Sequence, residues 1–333
     1  MARLLLPLLL MATSLPTMAG DTGIWQRFID RFITPEGRVV DTQSDNISHS
    51  EGQGYGLVLA THFDDRETFR AIHQWTRNHL AVRSDGLLAW AWDPAGGEIR
   101  DRNAAIDGDI LVAWGLLRGA RRWDEPALRE AAGRRLRAVR EQVVRWAEGP
   151  VLKPGPEGFV HGDTLTLNAS YWVFPALRDF AAAEGAPWDR LFAHGVALTR
   201  ELRQRYTLIP DWVGLTRAGS FTSPGTSEPL RASFDAVRVP LYLAWACERA
   251  GVVSAYAEHW ERERSPEGEY RLAFNPASGE TSMTGHHPAF AAIHELAADR
   301  SSAITADTLA RDYYPAVIQL LARVARQEAA ACD

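Results

Sequence analysis

Three acidic stretches of this chain could carry chemistry. The first, Ser48-His49-Ser50-Glu51-Gly52-Gln53-Gly54-Tyr55-Gly56, sets one carboxylate directly before a glycine-spaced segment that runs into the apolar Leu57-Val58-Leu59-Ala60. Ser50 or His49 can end the preceding loop, and small residues at 52, 54 and 56 leave room beside Glu51 for a ligand or another backbone. A carboxyl group so placed can have an apolar wall on one side and open space on the other. That setting lifts a carboxylic pKa toward the working pH of a general acid. The second stretch, Asp101 to Asp109, opens an apolar helix with Asp107 and Asp109. A helix start favours negative charge, so a cap accounts for one aspartate; the other, with Arg102 and Asn103, asks for a polar surface facing something. In the third, Arg231 to Pro240, Asp235 and Arg238 are three apart and share a helix face. Arg238 can orient Asp235 and hold it ionised, as an acceptor of a proton from water must be, although an ordinary intrahelical ion pair has the same spacing.

Other chemistries fit poorly. The spacing Gly52-x-Gly54-x-Gly56 follows a polar loop, so it is not a dinucleotide fingerprint, and no Gly-x-Ser-x-Gly elbow occurs. His286-His287 lacks a metal-ligand spacing around it, so no metal site is expected. The formal charge of −6 argues against nucleic-acid binding, which needs concentrated positive charge. Of twelve tryptophans, Trp25, Trp114, Trp172 and Trp245 fall on helical stripes and read as core. Trp90, Trp92 and Trp212 stand in loops, where an indole face can stack on a sugar ring or plug the loop.

The elements that must position these residues are helical. Apolar spacings of three and four predict helices over about 24–32, 69–80, 103–123, 126–146, 168–183, 188–206, 234–250, 252–260, 288–298, 304–309 and 313–325. Pro175 is expected to kink or divide one of them. Only Tyr270 to Phe274 reads as a strand, and 209–228 reads as a polar insertion. With no strand and helix alternation and no linker, a single all-α domain follows, built of helix pairs closed into a ring. Residues 1–19 read as a secretory signal: Arg3, the apolar run Leu4 to Leu15, then Thr17-Met18-Ala19 before the cut. No membrane anchor is expected after cleavage, since Gly20, not a cysteine that could carry a lipid, stands directly after the cut. Cys247, in an apolar helical run, is expected as a buried thiol rather than a partner of Cys332.

Taken together, Ser50 to Gly56, Ala105 to Asp109, Asn168-Ala169-Ser170-Tyr171, Pro210-Asp211-Trp212-Val213 and Phe234 to Val239 resemble glycoside hydrolase family 8, in particular its periplasmic endoglucanases that accompany bacterial cellulose synthesis. The resemblance implies an (α/α)6 barrel over residues 20–333 that cleaves a β-1,4-glucan with inversion, without metal or organic cofactor. By motif, Glu51 would be the general acid, Asp235 the base that activates water, and Asp107 the group holding the sugar before the cleavage point. Tyr171 and Arg238 would orient sugar, water or base, and Asp211 and Trp212 would line the groove; Trp92, the loop indole, is a substrate-binding candidate by its position rather than by motif. Ile106 departs from the family signature, which has Ser or Thr there, and removes a hydroxyl beside Asp107. The resemblance also implies a periplasmic location and a functional association with a cellulose synthase. Xylan, mixed-linkage glucan and chitosan stay open as substrates, as does a non-catalytic glucan-binding accessory role.

Overall fold

The computed structural model describes residues 19–225, 229–249, 251–301, 304–330 and 332. The expected signal lies outside them except for Ala19. Eleven α-helices occur among the described residues: α1 (Ala19–Phe32), α2 (Ser50–His62), α3 (Arg66–His79), α4 (Ile106–Arg122), α5 (Pro126–Arg140), α6 (Phe174–Glu184), α7 (Trp188–Arg205), α8 (Arg238–Trp245), α9 (Val252–Glu263), α10 (Pro288–Ala297) and α11 (Tyr313–Ala329). Six of them form a ring in which α2 packs on α4, α4 on α6, α6 on α8, α8 on α10, α10 on α11, and α11 returns to α2. The other five, α1, α3, α5, α7 and α9, lie against this ring. The fold is thus the all-helical (α/α) toroid expected, and the return of α11 to α2 supplies the closure that no sequence repeat announces.

Burial follows the layers. Nearly every residue of α2, α4 and α8 is buried, whereas α3 and α5 bury one stripe each. α2 and α4 approach each other closely, and glycines permit it. A Cβ on Gly54 would lie 2.4 Å from the Leu111 Cβ, and one on Gly108 would lie 2.7 Å from the Glu51 backbone nitrogen. The room left by small residues beside Glu51 is therefore filled by the α4 backbone, which brings Asp107 next to Glu51.

Strands are more numerous than expected. Short antiparallel segments form four small sheets in the connections, the largest joining Val160–His161, Thr164–Leu167, Val213–Thr216 and Phe221–Thr222. Segments of two to four residues are too short for alternation to show in sequence. The expected strand Tyr270–Phe274 is present and pairs with Thr281–Gly285. The helix expected over 126–146 stops at Arg140, and Val143–Trp146 turns back as a strand paired with Gly149–Leu152. Pro175 divides its segment, leaving a single 3-10 turn at Ala169–Tyr171 before α6. The 304–309 segment forms turns rather than a helix. Cys247 is corrected as well: it is bonded to Cys332. α8 ends at Trp245, so Cys247 leaves the apolar face and is exposed at a positive φ of 64°, where the end of α11 brings Cys332 to it.

Candidate active site

Glu51, Asp107, Tyr171, Asp235 and Arg238 line one cleft of about 470 Å³, with His49, Asp41 and Trp90 among its other walls. Glu51 stands in the first turn of α2, where the exposed backbone N–H groups favour an anion. His49 caps that turn, its Nδ1 accepting the Gly52 N–H at 3.0 Å. The opposite ring nitrogen lies 3.5 Å from Asp41. Because Nδ1 is an acceptor here, it offers no proton to Glu51 Oε2, 3.9 Å away. Glu51 Oε1, by contrast, accepts from the Tyr55 hydroxyl at 2.9 Å and from Arg238 Nη1. Tyr55 is in turn 2.6 Å from the Tyr242 hydroxyl. Burial first, then the charge of Glu51, holds the Tyr55 phenol well above its ordinary pKa, so it remains a donor.

Asp235 sits in the turn before α8, and both of its oxygens are held. Oδ1 accepts from Arg238 Nη2 at 2.9 Å and Oδ2 from the Asn168 amide at 2.9 Å. Asn168 Oδ1 accepts the Ser170 hydroxyl at 2.7 Å, and Ser170 Oγ accepts Arg238 Nη2 at 2.8 Å. Arg238, Asp235, Asn168 and Ser170 thus close a hydrogen-bonded circuit that fixes the carboxylate plane. The Asp235 side chain keeps 35% of its surface exposed, which leaves it reachable by water. Burial opposes the charge on Arg238, but Glu51 foremost raises its pKa, so the guanidinium stays cationic between two carboxylates. Asp107 is buried at the start of α4; burial and then the charge of Glu51 push its carboxyl well above the usual range. Burial and then Asp107 likewise hold the Tyr171 phenol protonated.

Three expected groove residues lie elsewhere. Trp92 packs edge-on to Trp75 at 5.5 Å and to His79, with the Arg38 guanidinium over its ring; Trp90, two residues earlier, lines the cleft instead. Residues two apart would share one face of a regular strand, but Trp90 precedes the strand Ala91–Asp93, whose pairing with Glu98–Asp101 shifts register between Ala91 and Trp92, so the two indoles part. Trp212 stacks on Phe159 at 5.8 Å and meets Tyr171 edge-on at 5.6 Å, one ring back from the cleft. Asp211 is buried behind Asp235. Its Oδ1 accepts the backbone N–H groups of Ser233 at 2.9 Å and Ala236 at 2.8 Å, and Oδ2 accepts the Ser233 hydroxyl, so it shapes the turn that presents Asp235. Sequence reasoning also passed over Tyr55, Tyr242 and Asn168. Tyr55 is four residues after Glu51, and Tyr242 four after Arg238, a helical spacing that marks both as neighbours. Asn168 carried no such signal: its contact crosses 67 residues.

A sequence profile of the glycosyl hydrolases family 8 matches residues 2–328. The chain belongs to this family. An endoglucanase of Cellulomonas uda is 36% identical over 249 residues, 73% of this chain and 69% of that protein. A probable endoglucanase of Novacetimonas hansenii is 33% identical over 316 residues, 91% of this chain and 90% of the other. The crystal structure of a family 8 endo-β-1,4-glucanase from an Achatina fulica gut metagenomic library superposes with a TM-score of 0.85 at 31% identity, covering 94% of this chain and all of that one.

Proposed function

We propose that this chain is an endo-β-1,4-glucanase that hydrolyses internal bonds of cellulose with inversion at the anomeric carbon. The observation that carries the reading is Arg238, one buried guanidinium that binds Glu51 through one nitrogen and Asp235 through another, inside a cleft shared with Asp107. Glu51 acts as general acid, its Oε2 giving a proton to the leaving oxygen. Asp235, held by Asn168 and Arg238, takes a proton from the water that attacks the anomeric carbon from the other face. As Glu51 gains negative charge Asp235 loses it, so Arg238 faces the same total charge throughout and stays paired. Inversion requires room for that water, a carboxyl separation of roughly 6.5–9.5 Å. Asp107 and the Tyr171 hydroxyl, each of whose pKa is raised first by burial, supply hydrogen bonds to the sugar ring between the two carboxylates.

The same proposal includes a signal over residues 1–19, a single catalytic domain over 20–333, a periplasmic site of action, and work on nascent glucan beside a cellulose synthase. The endoglucanase relatives and the apolar run Leu4 to Leu15 support it. Product analysis on carboxymethylcellulose, xylan, mixed-linkage glucan and chitosan, with the fresh anomer read by proton NMR, tests the reading. Release of α-anomeric ends from the cellulose derivative is expected. β-Anomeric ends would reject inversion, and a stronger rate on another polymer would reject the substrate.

A further inference from the structure

Asp107 and Asp109 stand two residues apart on α4 and serve different surroundings. Asp107 faces the cleft, while Asp109, wholly buried, accepts the Leu88 N–H at 3.0 Å and Arg135 Nη1 at 3.2 Å. Arg135 is one wall of a separate cavity of about 310 Å³ between α3, the 80–90 loop, α4 and α5. Arg77, Arg83, Arg134 and Arg135 all line it, together with His73, over apolar side chains that include Val112. Among the described residues no carboxylate lines this cavity, and it shares no lining residue with the catalytic cleft. In a chain with a formal charge of −6, four guanidiniums around one small space are an uneven distribution of charge.

The local carboxylates do not use up these donors. Arg83 is satisfied, chelating Asp85 through Nε and Nη2. Arg134 makes a single bond, to Glu130 at 2.5 Å on the exposed surface. Arg77 forms no ion pair among the described residues, and the buried Nε–H of Arg135 has no acceptor. The field of this group is visible on its neighbour. Burial first, then Arg77, Arg135 and Arg134, pull the His73 imidazole down to about 4, so at neutral pH it adds no charge and can donate or accept.

Arg83, Arg134 and Arg135 each have one carboxylate partner outside the cavity and Arg77 has none among the described residues, so an anion inside the cavity that accepts from the N–H groups left over offsets the repulsion between them. The unpaired Arg77 guanidinium, the N–H groups that Arg134 and Arg135 leave over from their single carboxylate partners, and the His73 imidazole offer more donors than the two oxygens of one carboxylate can take. A tetrahedral phosphate, with three free oxygens and close to two charges, matches them better. The volume suits a small molecule rather than a polymer. We propose that this cavity binds a phosphate group, either as inorganic phosphate or on a compound of sugar-phosphate size. The inference is independent of the reaction in the cleft.

Isothermal titration of the full chain in a low-salt chloride buffer, with inorganic phosphate and separately with glucose 6-phosphate, tests it. The expected result is saturable one-to-one binding of at least one of the two, and the tighter ligand identifies which form the cavity takes. Each of Arg77→Gln and Arg134→Gln should weaken that binding by about tenfold, the loss of one charge-assisted hydrogen bond. Both side chains are exposed, so the Tm of the unliganded variants should match the parent and show that folding is intact. Succinate, a dianion without a tetrahedral centre, should bind at least about tenfold more weakly. Absence of saturable heat with both phosphates, binding by either variant as tight as by the parent, or succinate binding as tight as phosphate would each overturn the proposal.

Discussion

Replacing Asp211 with Asn tests whether the turn that presents Asp235 is held by a strained carboxylate. Asp211 is 5% exposed, and burial, then the nearby charge of Asp235, push its carboxyl from an ordinary 3.8 to about 6, against the pull of the Ser233 and Ala236 donors. A folded-state pKa above the unfolded one means that this group's contribution is most favourable below about 4. It is lost as pH rises through about 6. The shift of about two units corresponds to roughly 3 kcal/mol, at 1.36 kcal/mol per unit. Asparagine keeps Oδ1 for the two backbone N–H groups but cannot ionise, so it escapes this loss. Urea unfolding of parent and Asp211→Asn at pH 4 and pH 8 should show the variant gaining on the parent by about 3 kcal/mol across that interval. Turnover of carboxymethylcellulose should nevertheless fall, by roughly tenfold, because the amide at Oδ2 no longer holds the Ser233 hydroxyl and Asp235 is aimed less firmly. A stability difference that is the same at both pH values would refute the titration argument. Unchanged turnover would refute the positioning argument.

Three further perturbations probe other parts of the frame. Gly108→Ala forces a Cβ against the Glu51 backbone, so it should cost roughly 1–3 kcal/mol by thermal melting and reduce turnover as α2 and α4 move apart. Asn168→Ala opens the circuit around Asp235 and should lower kcat by about tenfold with little change in KM, measured by steady-state kinetics. Cys332→Ser releases the end of α11 from Cys247 and should lower stability by about 2–4 kcal/mol in denaturant titrations while turnover at 25 °C is unchanged.

Helix content was readable because α4, α5 and α7 repeat their apolar residues every three or four positions. The clustering of Glu51, Asp107, Tyr171, Asp235 and Arg238 in one cleft was readable through the combined motifs, since no single stretch contains more than two of them. What the sequence concealed has physical reasons. Asp211 and Trp212 stand side by side in a segment whose polarity suits a groove wall. Which of them faces solvent depends on Ser233 and Phe159, far along the chain. Trp90 and Trp92 carry the same signal, and a shift of register between Ala91 and Trp92, in the pairing with Glu98–Asp101, parts the two indoles. Cys247 read as core because Pro240 and the apolar residues around it hide the point where α8 stops. Pro240 itself is tolerated in the first turn, where its missing N–H would have no helical partner.

The central claim is that Glu51 and Asp235 divide the acid and base roles across one guanidinium. Single-turnover and steady-state cleavage of carboxymethylcellulose by Glu51→Gln and by Asp235→Asn, with glucan affinity measured in parallel, tests it most directly. Both variants should retain binding and each should lose at least about a hundredfold in kcat, the lower range for removing a general acid or base. Near-parental turnover in either variant, with the fold intact, would contradict the division of roles.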